Sequence, residues 1–288
     1  MSGKKKIVLW CGDAPNQRAL ANKIAERFGL CGIVIDKKRT QNKTPRWKKI
    51  PAALQDRIFF RKINDAWTFL QHQYDRQFPQ WPGVDTIAAD SINSDEAYNF
   101  SKHHEPDLIV VSGTALIKKK MFSVNPSIGI INLHTGLSPY IKGGPNCTNW
   151  CISTGQFEKI GNTIMWINEG IDSGNIITTE TTPLNGAGSL RDVQWKVMEH
   201  AHALYLKAIY YLLHFSPPYN SIPQKQITKG TLYLTKMWDF SAKRKLLAHL
   251  PGFLETKDRL SYNEIITVPI KENSSVISSI IHFLRWND

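Results

Sequence analysis

The sequence predicts an α/β fold, with a mostly parallel twisted sheet flanked by helices and a smaller mixed C-terminal region. The chain opens with a buried run, IVLWCG, then an amphipathic helical segment, then a second apolar run, LCGIVID. A later run, DLIVVSG, has four adjacent aliphatic residues and a glycine at its end. Strand–helix–strand order predicts parallel pairing with right-handed crossovers. The expected architecture is therefore Rossmann-like.

The first half of the chain alternates strands and helices. In the first helix, Ala19, Leu20, Ile24 and Phe28 form one apolar stripe, and the following glycine ends the helix. Ser94 is predicted to cap a later helix whose first turn is acidic. The elements predicted after the second strand are, in order, helix NDAWTFLQHQYDRQF, strand VDTIAADSIN, helix SDEAYNFSKHHEP and strand DLIVVSG.

The second half begins with a short helix and turn and ends in a long helix. Ser189 is predicted to start this long helix, and Pro217 and Pro218 to terminate it. Between the short helix and the long helix, the predicted elements are strand IINLHTG, one or two helical turns in NCTNWCISTG, and strands NTIMWINEG and NIITTETTPL, which are joined by a turn containing DSG.

Two regions are expected. Residues 1–216 form the larger domain, SPPYNSIPQKQ is the best linker candidate, and residues 217–288 form a smaller α+β region. Within the latter, TLYLTKMWDFSAKRKLLAHLPGF predicts a short strand followed by a helix.

Composition favours a water-soluble, cytoplasmic protein. The chain has 288 residues, of which 42% are hydrophobic, enough for a substantial core. No apolar segment approaches the roughly 18 residues that span a bilayer, so no membrane partner is expected. The apolar run Ile7–Cys11 is too short for a signal peptide. The four cysteines are accordingly expected to be free thiols.

The formal net charge of +12 attracts polyanions and phosphorylated small molecules alike. Part of the excess lies in Lys37–Lys49, which contains seven basic residues, no acid and Trp47. A solvated loop is the plainer interpretation. A segment that binds phosphate or nucleic acid is the alternative.

Several kinds of site are disfavoured. Gly12 follows the first strand without the G-x-G-x-x-G spacing of a dinucleotide site, and there is no Walker loop and no G-x-S-x-G elbow. His103 and Glu105 match half of a zinc deaminase signature whose cysteine half is missing. Cys147 and Cys151 lie one helical turn apart and are expected near His134, but buried inert thiols are the commoner case. No metal is expected.

Asn132, His134 and Asp172 are the candidate site residues. Strand periodicity points Asn132 and His134 to one face at the carboxyl end of a strand, where open α/β sheets bind ligands. Asp172 lies in a hairpin that can fold back over them. An amide, an imidazole and a carboxylate suit acyl transfer. The alternative is that all three only satisfy turn hydrogen bonds.

These segments resemble the folate-dependent formyltransferases, a family with a sugar-nucleotide N-formyltransferase branch. The family pattern is Asn-x-His, a loop rich in Pro and Gly, and a downstream Asp before Ser/Thr-Gly. Here it corresponds to NLHTGLSPYIKGGPN and, some sixteen residues later, TIMWINEGIDSGNII. PDLIVVSGTALI resembles the preceding strand and the turn that holds the folate head group. The likeness covers Asp107 to Glu180, and it makes residues 1–216 a formyltransferase catalytic domain.

The resemblance implies specific roles. Asn132 and His134 would polarise the formyl oxygen of N10-formyltetrahydrofolate and stabilise the tetrahedral oxyanion. Asp172 would orient a water and relay the proton lost by the attacking amine. The donor-binding set implied by the resemblance comprises Ser112, Gly113, Leu116 and Ile117, which would line the pocket, and Thr163, near the catalytic water.

The acceptor predicted first is an amino-deoxy sugar linked to a nucleoside diphosphate, used for O-antigen or another surface polysaccharide. The basic charge suits the pyrophosphate, and Trp47 or Trp150 is a candidate for stacking on the base. The loop HTGLSPYIKGGPN departs from the usual HPSLLP-x-x-x-G, so acceptor preference is expected to lie there. A homodimer is one option for the assembly.

Two alternatives stay open. A methionyl-tRNA formyltransferase-like enzyme fits the charge, but the C-terminal sequence lacks the regular short strands of that enzyme's barrel domain. A non-catalytic, basic nucleic-acid-binding protein on the same scaffold is the second alternative.

Overall fold

A computed structural model describes residues 5–37, 58–168, 170 and 172–270. Most of the basic segment Lys37–Lys49, with Trp47, lies outside these residues. The strands are β1 (Ile7–Gly12), β2 (Leu30–Asp36), β3 (Asp85–Ala89), β4 (Leu108–Ser112), β5 (Gly129–His134), β6 (Ile141–Gly143), β7 (Gly161–Trp166), β8 (Ile176–Thr181) and β9 (Thr231–Tyr233). The helices are α1 (Pro15–Arg27), α2 (Arg61–Gln77), α3 (Asp95–His103), α4 (Lys119–Phe122), α5 (Cys147–Ser153), α6 (Leu190–His214) and α7 (Phe240–Thr256).

Seven strands form one sheet in the order β3-β2-β1-β4-β5-β7-β8. The first five are parallel, and β7 and β8 continue the sheet as an antiparallel pair. The predicted fold, a mostly parallel sheet flanked by helices, is confirmed. The chain leaves β1 toward β2 on one side and returns from β3 to β4 on the other, so β1 and β4 flank the point where strand order reverses. Open sheets bind ligands at the carboxyl ends of such strands.

The predicted helix starts and the first apolar stripe are confirmed. The Ser94 side chain accepts a hydrogen bond from the Ala97 amide, and the Ser189 side chain accepts one from the Asp192 amide. Each cap satisfies an otherwise unpaired amide in the first helical turn. In α1 the predicted stripe is buried, with Ala19, Leu20 and Ile24 fully so. In the described part of the chain, no helix combines the length and the apolar character that crossing a bilayer requires.

The C-terminal elements share a core with the region around β6. Strand β9 pairs in parallel with β6, and α7 follows it, which confirms the predicted short strand and helix. Ile141, Trp150, Tyr233 and Phe253 belong to one buried cluster. Residues on both sides of the expected boundary at 216 therefore pack together, and the division itself stays a prediction.

A tyrosine of α6 hydrogen-bonds to both β4 and β5 near the end of their ladder. The Tyr205 hydroxyl is fully buried, accepts a hydrogen bond from the Val111 amide (2.8 Å), and lies 3.1 Å from the Val111 carbonyl and 3.0 Å from the Ile131 carbonyl. The hydroxyl thus takes the place of direct strand-to-strand bonds where the β4–β5 ladder ends, at Val111 and Asn132. The two strands separate beyond this point.

Replacing Tyr205 by phenylalanine is expected to lower the free energy of unfolding by about 1–3 kcal/mol, because the buried Val111 amide loses its acceptor. Tyr211→Phe is the matched control, since it removes a hydroxyl on the same helix that accepts one longer bond from the Asn220 amide (3.3 Å). Urea unfolding measures both variants. An equal decrease in the free energy of unfolding in both variants would contradict a special role for the Tyr205 hydroxyl between β4 and β5.

Candidate active site

A cleft of about 840 Å³ lies at the carboxyl ends of β1, β4 and β5. Its volume falls in the range of sites that enclose a drug-sized ligand. The sequence-predicted residues that line it are Ser112, Gly113, Leu116, Ile117, Asn132, His134 and Asp172.

Asn132 and His134 reach the cleft from the same face of β5. Their antiparallel partners in β7 are Met165 and Thr163, respectively. The Asn132 side chain is half-buried and makes no hydrogen bond to another described residue. Its amide therefore offers a donor to a ligand in the cleft.

Asp172 lies in the turn between β7 and β8 and faces His134. Its Oδ2 atom is 3.4 Å from His134 Nδ1 and accepts a hydrogen bond from the Gly143 amide at 2.9 Å. Asp172 has a positive φ of 44°, and the turn passes so close to β7 that a Cβ at Gly174 would lie 1.6 Å from the Trp166 carbonyl oxygen. The glycine of the DSG sequence is needed for this close approach.

Both nitrogens of His134 face acceptors. Nδ1 faces the Asp172 carboxylate, and Nε2 lies 3.2 Å from the Ile141 carbonyl oxygen and 3.5 Å from Cys147 Sγ. Burial alone would lower the pKa of His134, but the interactions with the Asp172 carboxylate, with Cys147 and with the Ile141 carbonyl outweigh burial and raise the pKa to about 10. The ring is therefore an imidazolium at neutral pH. Burial raises the pKa of the Cys147 thiol, which stays neutral and donates to the Gly143 carbonyl.

The four residues predicted to line the donor pocket differ in exposure. Ser112 and Ile117 are buried, whereas Leu116 is 53% exposed at the rim. Gly113 has a φ of 70°, and its carbonyl approaches β1 closely, 2.7 Å from where a Cβ on Gly12 would be. The chain crosses the end of the sheet here with its backbone open to the cleft.

A buried carboxylate fixes the loop that follows β4. Asp36, at the end of β2, accepts from the Ala115 amide at 2.8 Å and from the Ile92 amide at 3.2 Å. Dinucleotide-binding proteins use an acid near this place for a ribose hydroxyl. Here both oxygens bind backbone amides of the chain itself. Asp36 therefore acts as a structural tie for the loop.

Thr163 and Trp150 lie elsewhere than sequence reasoning expected. Thr163 is fully buried beside β5, does not line the cleft, and bonds the Gly136 carbonyl (2.7 Å) and the Ser138 amide (2.9 Å). It therefore braces the loop after His134. Trp150 is 5% exposed and stacks on Tyr233 at 4.4 Å. Its ring is in the core, so base stacking on Trp150 is ruled out.

Sequence reasoning missed the groups that hold the His134–Asp172 pair. The Ile141 carbonyl and the Gly143 amide are backbone groups and leave no side-chain signal. The i, i+4 spacing of Cys147 and Cys151 did point to a thiol near His134. Within the described residues, no three His, Cys, Asp or Glu side chains are arranged to hold a metal ion.

Comparison with known proteins identifies the family. The model of the formyl transferase family matches residues 46–209, which is more than half of the chain. The chain belongs to the formyl transferase family. The matched range contains Asn132, His134 and Asp172.

Curated relatives match part of the chain. A methionyl-tRNA formyltransferase of Clostridium tetani is 29% identical over 163 residues, covering 57% of this chain and 49% of the relative. A methionyl-tRNA formyltransferase of Clostridium perfringens is 34% identical over 145 residues, covering 49% of this chain and 44% of the relative. The chain thus spans about half the length of these relatives.

Solved formyltransferase structures share the fold over most of the chain. A Mycobacterium tuberculosis protein proposed to be a sugar N-formyltransferase has a TM-score of 0.54 and 18% identity, covering 86% of this chain and 87% of that one. A sugar N-formyltransferase from a Shewanella species has a TM-score of 0.53 and 16% identity, covering 85% of this chain and 88% of that one. Phosphoribosylglycinamide formyltransferase of Anaplasma phagocytophilum has a TM-score of 0.51 and 14% identity, covering 80% of this chain and 99% of that one. At these identities the likeness establishes the fold alone.

The charge of His134 predicts a pH-dependent stability. The wild type should have a larger free energy of unfolding than His134→Gln. This difference should be greatest below about pH 6.5, where the histidine is charged in both the unfolded and the folded protein. It should fall as pH rises toward about 10, because folded His134 holds a proton that the unfolded chain has lost.

Urea unfolding across this pH window measures the difference. His103→Gln, which makes the same change at an exposed histidine, serves as the control variant. A wild-type advantage that grows with pH would show that His134 is neutral in the folded protein.

Proposed function

We propose that this formyl transferase moves a formyl group from N10-formyltetrahydrofolate to the amino group of a nucleotide-linked amino sugar. The observation that supports it is a single cleft containing a free amide, a buried imidazolium and a carboxylate with one unengaged oxygen. These three groups meet the two needs of acyl transfer, which are stabilising a developing oxyanion and removing a proton.

Asn132 is the hydrogen-bond donor for the formyl oxygen. Its amide lines the cleft and has no partner among the described residues, so donating to a ligand breaks no internal bond. His134 adds a fixed positive charge beside it. Because Nε2 is hydrogen-bonded to the Ile141 carbonyl and Nδ1 faces the Asp172 carboxylate at 3.4 Å, the imidazolium acts through its electrostatic field while it keeps this geometry. Such preorganised charge is worth more in a low-dielectric site than in water.

Asp172 is the group that takes the proton from the attacking amine, directly or through a water, and this proton passes to N10 of the folate as the bond between N10 and the formyl carbon breaks. Its Oδ2 atom is engaged by Gly143 and His134, whereas Oδ1 has no hydrogen bond to the described residues. The side chain is 15% exposed and lines the cleft. The imidazolium keeps its own proton, which leaves the carboxylate as the base of the pair.

The donor fits the side of the cleft formed by the ends of β1 and β4. When bound, N10-formyltetrahydrofolate supplies the formyl group. The loop Gly113–Ile117 offers backbone groups and the apolar Ile117 to a flat, polar-edged ring, and Asp36 keeps this loop in place.

The C-terminal region supports a sugar nucleotide as the acceptor. Between residues 217 and 270, the described chain forms one short strand, one long helix and three single-turn 3-10 helices. The barrel domain expected of methionyl-tRNA enzymes would show several regular strands. Transfer to an aminoacyl-tRNA remains the second candidate, favoured by the charge of +12 and by the curated relatives.

An acceptor panel tests the proposal. The protein is incubated with N10-formyltetrahydrofolate and either amino sugar nucleotides or charged tRNA, and release of tetrahydrofolate is followed by absorbance. Turnover with a sugar nucleotide supports the first candidate, and turnover with charged tRNA replaces it by the second. No turnover with any acceptor, together with RNA binding that weakens steeply with salt, would show a nucleic-acid-binding protein instead.

Asp172→Asn and Asn132→Ala should each lower kcat by about a hundredfold or more, the scale of general-base and oxyanion groups. Asp90→Asn is the control, because it makes the same chemical change at an exposed carboxylate. Steady-state kinetics with the best acceptor measures all three. A folded Asp172→Asn variant with near wild-type kcat would remove Asp172 from the mechanism.

A further inference from the structure

We propose that Gln224 is a positioning residue that holds Asp172 in place from outside the part of the chain that matches the family model. Gln224 follows residue 209, where that match ends. The inference rests on the proposed function, because it assumes that Asp172 acts as the base. Its geometry is independent of which amine is the acceptor.

The side-chain nitrogen of Gln224 binds two carbonyl groups in the second half of the catalytic turn. Nε2 donates to the Asp172 carbonyl at 2.7 Å and to the Gly174 carbonyl at 2.8 Å. Asp172 adopts the left-handed region, with φ of 44°, which L-residues occupy only where surrounding contacts fix the backbone. The amide of Gln224 supplies this contact.

The donors of Gln224 are the reason for an amide at this buried position. Its side chain is 8% exposed, and Oε1 is buried with no hydrogen-bond partner among the described residues. A buried oxygen without a hydrogen-bond partner destabilises the fold. A methionine would fill similar space without this penalty, so the two bonds made by Nε2 account for a glutamine.

Gln224 is itself anchored to the sheet. Ile222 and Ile176 exchange two backbone hydrogen bonds, of 2.8 and 2.9 Å, which attach the segment to the start of β8. A 3-10 turn, Gln224–Gln226, follows at once. The position of the side chain is therefore set by β8, the strand that follows the catalytic turn.

The same C-terminal region supports the other side of the Asp172 carboxylate. The Tyr233 carbonyl accepts from the Gly144 amide at 3.0 Å, next to the Gly143 amide that bonds Asp172 Oδ2. Gly143 has a φ of 86°, and a Cβ there would lie 2.0 Å from the Tyr233 carbonyl oxygen. Residues after 216 thus fix both the turn that contains Asp172 and the loop that binds it.

Two variants and a matched control test the proposal in the full chain. Gln224→Met removes the donors at similar volume, and Gln224→Asn keeps an amide that is too short to reach both carbonyls. Gln226→Met is the control, since Gln226 lies exposed on the same turn. Circular dichroism establishes that each variant is folded.

The first readout is the exchange of the Gly143 amide hydrogen, measured by NMR. This amide bonds Asp172 Oδ2, so its exchange should become at least about tenfold faster when Asp172 is displaced. The control should leave it unchanged. Unchanged exchange in both Gln224 variants overturns the proposal, whatever the activity.

The second readout separates kcat from KM. Both Gln224 variants should lower kcat by about a hundredfold, as expected for a misplaced reacting group, and leave the KM for the formyl donor within about twofold. Wild-type kcat in either variant overturns the proposal. If the wild type itself turns over no acceptor, the proposed function fails, and Gly143 exchange alone decides the positioning role.

Discussion

A buried ion pair, His134 with Asp172, is the interaction on which the arrangement of the cleft depends. Removing two charges from water is so unfavourable that a buried pair persists only where further hydrogen bonds complete it. The Ile141 carbonyl and the Gly143 amide provide these bonds. The loop after β5 therefore has to pass back beside His134, at the end of β5. Strand β6, which contains Ile141 and Gly143, is the part of the loop that lies there.

The change from parallel to antiparallel pairing makes this ion pair available. Parallel strands β1, β4 and β5 end at one edge and together form the donor side of the cleft. A further parallel strand would require its own crossover and would not return to that edge directly. A hairpin needs no crossover: β7 runs antiparallel to β5 from Thr163, the partner of His134, to Trp166, the partner of Ile131. The turn that follows then folds back and places Asp172 against His134. The glycine at 174 lets this turn lie against β7 without a side chain between them.

The sequence predicted the parts of the site that obey local rules. Strand periodicity put Asn132 and His134 on one face, and the apolar runs gave the sheet, because both depend only on neighbouring residues. Asp172 was selected because a carboxylate in a hairpin completes the set with an amide and an imidazole, and the likeness to a family motif added support, since a lone acid before Ser-Gly is also a common turn. Thr163 could not be located in the same way. Its neighbour across the sheet is His134, but its hydroxyl faces the loop at Gly136, and no local pattern specifies that direction.

The contacts that sequence reasoning missed have one property in common, which is that they join a side chain to a distant backbone group. Gln224 lies in a segment that reads as a linker, and its partners are the carbonyls of Asp172 and Gly174. A carbonyl has no residue identity, so no pattern in the sequence can mark it as an acceptor. The same segment leads to Tyr233, Leu234 and Thr235, which line the cleft. One continuous segment therefore supplies both a wall of the cleft and the contacts that fix the turn containing Asp172.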